Sequence, residues 1–223
     1  MAKDSGGFDI SDFRFKFSFS TGFIDGDPSD FVTRIVGRLK FYNEDSEGYG
    51  IPAGRLIAHR IEIGRARNQQ RTIWDIFDSV DSELSDYWET LFEDDEIRPE
   101  IEELLDPSFN GNDLLIIDRV EVLSDFRGHN LGLMMTQRAI ECLSSGCQYV
   151  AIRPFPLQYS PRANKEKLEK MGYGTFVKTE SAAFDKLRKY WGMIGFMRIG
   201  DSNVFLLNPS KNLPNSVDEM FRQ

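Results

Sequence analysis

The residues best suited to chemistry lie where an apolar segment leads through a short loop into a helix. Residues 114–123 predict a strand whose first four positions are all apolar, and residues 131–143 predict an amphipathic helix. A helix that begins directly after such a loop leaves several backbone N–H groups unpaired, and its dipole adds partial positive charge there. Because Arg127 adds a full charge, the loop predicts a binding site for phosphate or pyrophosphate.

Two glycines in this region favour a close approach of the backbone to a ligand. Gly128 lies in the loop, and Gly132 lies in the first turn of the predicted helix. The sequence contains neither the three-glycine dinucleotide fingerprint nor a Gly-Lys-Ser/Thr ending. Glycine spacing alone is weak evidence, so the identity of the ligand depends on a longer pattern.

Two longer motifs resemble the GCN5-related N-acetyltransferase superfamily. The first is Val120-Glu121-Val122 followed by Arg127-Gly128-His129-Asn130-Leu131-Gly132, which is similar to the hallmark Gln/Arg-x-x-Gly-x-Gly/Ala after a strand. The second is Lys189-Tyr190-Trp191-Gly192-Met193-Ile194-Gly195-Phe196, which resembles the segment usually written Phe-Tyr-x-x-x-Gly-Phe. The resemblance covers about residues 113–208. It implies a mixed α/β fold in which helices flank a central mixed, twisted sheet.

The resemblance also implies a reaction, in which acetyl-CoA is the co-substrate and an amine attacks its thioester directly. The pantetheine arm would pair along Val120 and Val122 like an additional strand, splayed away from a strand at 149–155. The backbone N–H of Val122 would then face the developing oxyanion. The pyrophosphate would lie on the loop and first helical turn, which are formed by Arg127, Gly128, His129, Asn130, Leu131, Gly132 and Leu133. No metal is implied.

The chain departs from the family pattern at two positions that affect this expectation. Asn130 occupies the place of the middle glycine, and asparagine tolerates left-handed backbone better than other non-glycine residues. Trp191 occupies the place of the usual catalytic tyrosine, and an indole N–H is no practical acid. Tyr190, one residue away, is therefore the candidate general acid.

The general base is less well defined. Positions 114–117 carry no carboxylate, so Asp118 and Glu121 are the acidic residues left on this strand. In a regular strand these two positions have opposite parity, so only one of them can face the site. Glu121 is the candidate base, and a solvated or salt-bridged carboxylate is the alternative interpretation. His129 could contact the cofactor or be an exposed loop residue, and His59 is expected to be a hydrogen-bonded strand residue.

The N-terminal half, residues 1–112, departs from the family order. Phenylalanines at 13, 15, 17 and 19 alternate with polar residues and predict a strand, and residues 32–42 and 55–63 predict two more. From Thr72 to Phe92 the apolar spacing predicts one long amphipathic helix, with a short helix at 100–105 after Pro99. Further helices are expected at 165–171 and 181–191, with a hairpin at 195–207. With no repeat or linker, one domain over 1–223 is the simplest prediction.

The charge is distributed unevenly along the chain. Residues 72–106 contain fourteen acidic residues and one basic residue, whereas the whole chain has a net charge of −9. The remainder is therefore mildly basic, as a site for an anionic ligand would be. The acidic segment reads either as a solvated helix face or as a lip that attracts a cationic substrate. The second interpretation mildly favours a cationic amine or basic peptide as acceptor.

Composition excludes several other classes of protein. Apolar residues throughout the chain exclude disorder, no stretch is long enough for a membrane span, and the first 25 residues lack a signal-peptide pattern. Two cysteines without nearby partners predict neither a disulfide framework nor a zinc site, so a cytoplasmic location is expected. The negative net charge makes nucleic acid an unfavourable partner. A homodimer and a catalytically silent acyl-CoA-binding or protein-interaction module both stay open as alternatives.

Overall fold

A computed structural model describes residues 8–22, 26–44, 48–80, 82–106, 111–160, 169, 171–173 and 179–211. The strands are β1 (Phe13–Ser20), β2 (Val32–Phe41), β3 (Ile51–Ile61), β4 (Phe92–Glu93), β5 (Glu96–Ile97), β6 (Asp113–Val122), β7 (Cys147–Ile152), β8 (Met197–Arg198) and β9 (Phe205–Leu207). The helices are α1 (Ile63–Asn68), α2 (Ile73–Asp78), α3 (Ser82–Leu91), α4 (Pro99–Leu105), α5 (Leu131–Leu143) and α6 (Glu180–Gly192).

Seven strands form one sheet in the order β1-β2-β3-β6-β7-β9-β8, and β4 pairs with β5 separately. Every pair in the large sheet is antiparallel except β6 and β7, which α5 connects as a parallel crossover. The predicted mixed α/β class is thereby confirmed. None of the helices in the described ranges is long and apolar enough to cross a membrane.

The sheet has a hydrophobic core on each face. One core contains α5 and the end of α6, and the other contains α1 to α4. Strand β6 contributes to both, since Leu115 and Ile117 belong to the first core and Leu114 and Ile116 to the second. Its prediction as a central strand is therefore confirmed, because only a strand covered on both faces buries consecutive apolar residues.

The predicted long helix at 72–92 is wrong. The chain forms α2 and α3 instead. Ser79 follows α2, and its hydroxyl donates to the Ile76 carbonyl, which in a continuous helix would accept from the backbone N–H four residues later. The start of α2 is stabilised by Asp95, whose carboxylate accepts from the Ile73 and Trp74 amides and from the Trp88 indole. A carboxylate from the turn between β4 and β5 thus caps a helix about twenty residues earlier in the chain.

The other boundaries are close to those expected. The strands β1, β2, β6 and β7, the helices α4, α5 and α6, and the hairpin of β8 and β9 all appear where their patterns predicted them, within a few residues. Strand β3 ends at Ile61 rather than residue 63, because Ile63 begins α1, which the sequence did not indicate. The predicted helix at 165–171 lies mostly outside the described residues.

The buried thiol of Cys147 gives a testable pH dependence. Burial raises its pKa from 9.0 to about 12, and the Arg60 charge opposes this only in part. Between these values the unfolded chain binds fewer protons than the folded chain. The contribution of this thiol to the free energy of unfolding should therefore be constant below about pH 9. Above that pH it should decrease by up to about 1.4 kcal/mol per pH unit.

Denaturant titrations between about pH 8 and pH 11 test this expectation. Cys147→Ala should reduce the alkaline slope, whereas Cys142→Ala removes an exposed thiol and should leave the slope unchanged. An equal slope in wild type and Cys147→Ala would contradict the assignment.

Candidate functional site

A β-bulge in β6 determines which side chains face the candidate site. In the pairing with β3, Ile57 lies opposite Arg119 and Ala58 lies opposite Ile117, which leaves Asp118 as an extra residue. Ile117 before the bulge and Val120 after it contact the same core, although a regular strand would turn them to opposite faces.

The bulge corrects the parity argument made for Asp118 and Glu121. That argument assumed a regular strand, and the alternation changes between these two positions. Glu121 lies on the face opposite Val120 and Val122, and its carboxylate is 4.0 Å from the Arg119 guanidinium. Its side chain is only 11% exposed. The salt-bridged carboxylate that was the alternative interpretation of Glu121 is therefore present, although the ion pair is long.

Beyond the bulge, the described residues place no strand beside β6 on its β7 side, and we call this side the open edge. The last residue pair between β6 and β7 is Ile117 with Ile152. The Leu123 amide donates to the Ala53 carbonyl, on the β3 side. Because backbone groups alternate between the two edges of a strand, the Val120 and Val122 amides point to the open edge. This is the edge at which the family resemblance places the pantetheine arm.

A narrow cleft of about 120 Å³ lies against this open edge. Its lining includes both faces of the strand end, the loop before α5, the segment after β7 and one residue of α6. Among the lining side chains are Val120, Glu121, Arg127, Met171 and Tyr173. The cleft is smaller than the roughly 300–1,000 Å³ that is usual for small-molecule sites.

Tyr173 is a functional candidate that the sequence did not reveal. Its side chain is buried beside the open edge, and the Arg127 guanidinium lies 5.4 Å from the centre of its ring. Burial raises the pKa of Tyr173 to about 12, and the Glu121 charge raises it further while Arg127 and Arg119 lower it. The phenol therefore keeps its proton at neutral pH. In the sequence, Tyr173 stands between two glycines, and this pattern does not indicate a functional residue. Only the fold brings Tyr173 next to β6.

The loop before α5 has the backbone shape expected of an anion site. Asn130 precedes the helix with φ 55° and ψ 17°, which is the left-handed backbone that asparagine tolerates better than other non-glycine residues. Gly128 has φ +85°, and a Cβ at this position would have no neighbour within 4 Å, so the loop is open to solvent. Arg127 turns back from the loop, and its Nε donates to the Val122 carbonyl at 3.0 Å. Burial lowers the pKa of this guanidinium below its ordinary value.

Tyr190 lies at the first turn of α5. Its hydroxyl accepts the Leu133 amide at 3.0 Å, and a Cβ on Gly132 would come within 2.6 Å of the same oxygen. Gly132 therefore lets Tyr190 pack against α5, and the Leu133 amide already has a partner. Of the amides predicted to bind phosphate, those of Gly128 to Gly132 stay candidates. Burial raises the pKa of Tyr190 to about 12.

Three other residues that the sequence singled out are His129, His59 and Trp191. His129 is exposed and its ring contacts the ring of Phe8, with centres 5.0 Å apart. His59 is a buried residue of β3, opposite Arg34 and Ile116. Trp191, at the usual tyrosine position, is buried in the core.

Much of the acidic segment has structural partners. Asp86 pairs with Arg153, Glu96 with Arg67 and Asp106 with Lys211, while Asp95 caps α2. These ion pairs attach α3, α4 and the β4–β5 hairpin to the rest of the fold. They give no support to an acidic lip for a cationic substrate, which stays a prediction.

A larger cavity of about 610 Å³ lies between β1 and α5, away from the open edge of β6. Its floor is mainly apolar, with Phe13, Phe15, Phe17 and Met134 among its lining residues. By size alone, this cavity would be the preferred ligand site. However, the backbone N–H groups and the buried phenol that could bind a thioester lie at the smaller cleft.

Comparisons with known proteins add no family assignment. No protein-family model matches the chain, and no curated protein sequence matches it. Within the described ranges, no group of three or more His, Cys, Asp or Glu side chains is arranged to hold a metal ion.

Proposed function

We propose that the chain is an N-acetyltransferase with a GCN5-related fold, which transfers the acetyl group of acetyl-CoA to an amine. The observation that carries this proposal is the combination of two sites on one strand–loop–helix unit. The open edge of β6 presents the Val120 and Val122 amides, and the loop of Gly128 and Asn130 presents the free amides of α5. One elongated ligand with a thioester at one end and a pyrophosphate further along matches both.

The loop residues would bind the pyrophosphate through backbone N–H groups. Gly128 and Asn130 both have positive φ, which turns the chain so that successive amides point outward at the start of α5. Arg127 is held against the Val122 carbonyl, so its guanidinium does not point into solvent to bind phosphate in a bidentate manner. It contributes positive charge at longer range. Specificity for a diphosphate would therefore come mainly from the backbone.

The open edge would bind the thioester arm and stabilise charge. The Val122 amide is held rigidly by the β-sheet, and a fixed donor stabilises an oxyanion without reorganising. The amine attacks the thioester carbonyl, a C–N bond forms and the C–S bond breaks. Glu121 would receive the amine proton, directly or through water, and Tyr173 would donate a proton to the departing thiolate.

An acyl-CoA-binding module without turnover is the alternative. Two observations favour it: the usual tyrosine position holds a buried tryptophan, and the cleft is narrow because Met171 and Tyr173 line it. Either function uses the same loop and the same strand edge, so cofactor binding alone does not separate them.

Release of free CoA thiol from acetyl-CoA separates the two functions. The proposal predicts slow thiol release that depends on an amine acceptor and increases with pH as the amine loses its proton. A panel of small amines and peptides, followed by a thiol reagent and by mass spectrometry of the acetylated product, measures it. If acetyl-CoA binds but no acceptor in the panel releases thiol, the alternative replaces the enzyme.

Two phenylalanine variants identify the proton donor. If Tyr173 is the acid, Tyr173→Phe should lower the rate of thiol release about 10²-fold. Tyr190→Phe removes the acceptor of the Leu133 amide, so it should lower the free energy of unfolding by about 1 kcal/mol and change the rate less. The reverse order of rates would assign the acid to Tyr190, and two unchanged rates would leave water as the donor.

A further inference from the structure

Five of the basic residues on the first three strands lie on one face of the sheet, and four of these five are exposed. They are Lys16 on β1, Arg34, Arg38 and Lys40 on β2, and Arg55 on β3. Ile35 and Leu39 on β2 belong to the core beneath α5, so the alternate residues on this strand point to the opposite side of the sheet. Helices α1 to α4 pack on that side at the other end of these strands, around Val32 and Ile61. We call these five residues the basic face.

The basic face has no carboxylate partner anywhere in the part of the chain that the structure describes. Arg38 donates to the Ser18 hydroxyl and Lys40 to the Tyr49 carbonyl, both of which are neutral groups. Elsewhere the pattern is different, since Arg60, Arg65, Arg67, Arg153 and Lys211 each pair with Asp or Glu. Part of the mildly basic charge outside the acidic segment therefore lies on one surface, without an ion pair to any carboxylate of the described residues.

The strand register places like charges directly opposite each other. Lys16 lies opposite Arg38, and Arg38 lies opposite Arg55. Directly opposite side chains have Cβ atoms about 4.5–5.5 Å apart, and like charges at that distance destabilise a sheet. Three cations in one row, with Glu121 opposite the last of them, still repel each other at two positions, and a bound anion would relieve this repulsion.

The same row leads to the candidate active site. Arg55 lies opposite Glu121, which lines the cleft at the open edge of β6. Across the sheet, Lys16, Arg38 and Arg55 are thus followed by the Glu121 carboxylate, which lies beside the proposed thioester position. A complementary ligand has a positive amine at one end and negative groups along the rest.

We propose that the basic face binds an acidic polypeptide segment next to the amine that is acetylated. This inference rests on the proposed function for the role of the amine, whereas binding of the acidic segment is independent of it. From β6 to β1 there are three strand spacings, or about 14 Å, which about four extended residues span. Acidic residues within about four positions of the amine would therefore reach Arg55, Arg38 and Lys16.

A polypeptide fits this surface better than a nucleic acid. The chain has a net charge of −9 and an acidic segment on the same side of the sheet. Those charges repel a long polyanion that extends beyond the basic face, whereas a short acidic segment is confined to it.

Direct binding tests the proposal without acetyl-CoA. Fluorescein-labelled oligoglutamate should show saturable anisotropy at low salt, and oligolysine of equal length should not bind this face. The double variant Arg38→Gln with Arg55→Gln should weaken oligoglutamate binding at least about tenfold. The matched control, Lys186→Gln with Lys189→Gln, removes two exposed charges from α6 and should leave binding within about twofold.

Thermal unfolding adds a readout that does not use a ligand. Because Arg38 and Arg55 repel each other, their double variant should be at least as thermostable as wild type, which also shows that it folds. Three results would each overturn the proposal. They are the absence of saturable oligoglutamate binding, an equal loss of oligoglutamate affinity in both double variants, and tighter binding of an oligouridylate of equal charge.

Failure of the proposed function is distinguishable from failure of this inference. If oligoglutamate binds the basic face but no amine is acetylated, the docking surface stands and the transferase proposal falls. If amines are acetylated, peptides with acidic residues adjacent to the lysine should have a higher kcat/KM than peptides in which a long neutral spacer separates them. Equal values in wild type would overturn the link between the face and the amine.

Discussion

Acetyl-CoA at a hundredfold excess over its Kd should stabilise the folded chain by about 2.7 kcal/mol, and Gly128→Asp should abolish this stabilisation. The reason is electrostatic and local. A Cβ at Gly128 would project into open space at the start of α5, where the proposal places the pyrophosphate. An aspartate there would direct a carboxylate at phosphate oxygens and would partly neutralise the helix terminus. Thermal shift and isothermal titration against acetyl-CoA, longer acyl-CoAs and free CoA measure the effect.

Gly48→Asp is the matched control for this variant. Gly48 has φ +82°, close to the +85° of Gly128, and a Cβ there would also have no neighbour within 4 Å. Both substitutions therefore impose similar left-handed strain, but only one lies at the proposed site. Gly48→Asp should keep the full ligand-induced stabilisation. No stabilisation of wild type by any acyl-CoA at millimolar concentration would make the cofactor assignment wrong.

The sequence predicts the elements whose side-chain period is regular over many residues. The phenylalanines of β1 alternate strictly, and the four apolar residues at the start of β6 leave no exposed face, so both strands are read correctly. Helix α5 is likewise defined by its apolar stripe. The loop before it is compatible with its sequence, because glycine and asparagine accept the left-handed backbone found at Gly128 and Asn130.

The errors arise where individual contacts, and not the side-chain period, determine local structure. The break between α2 and α3 lies at Ser79, whose hydroxyl bonds to the Ile76 carbonyl, and no period in the sequence records that contact. The bulge at Asp118 depends on pairing with β3, and it changes the face of every later residue of β6. Strand parity predicts the face of a residue only as far as the first bulge, because each inserted residue reverses the alternation.

The charge pattern shows the same limit. In sequence order the acidic segment is the most prominent feature, but several of its carboxylates are neutralised by basic residues remote in the chain. The basic face is inconspicuous in the sequence because its residues are spread over residues 16–55. Only the register of three strands places Lys16, Arg38 and Arg55 in one row.

Glu121→Gln should lower kcat/KM for acetyl transfer by about 10²-fold, the lower end of the range for general base catalysis. The substitution keeps the shape of the side chain and removes its negative charge and its ability to accept a proton. Glu121 lines the cleft, and its long 4.0 Å contact with Arg119 leaves room for a competing amine cation. The loss should appear in kcat as well as in KM, because the group acts in the transition state. Steady-state kinetics with the best acceptor from the amine panel measure it.

Glu141→Gln is the matched control for the base. It also removes a carboxylate from an Arg–Glu pair, since Glu141 lies 2.9 Å from Arg138 on the exposed side of α5. This variant should keep wild-type kinetics. Both variants should retain the stabilisation by acetyl-CoA, which separates a chemical defect from loss of cofactor binding. An unchanged kcat in Glu121→Gln would remove Glu121 from proton transfer and leave water to accept the amine proton, so that the alkaline rise in rate would reflect the free amine alone.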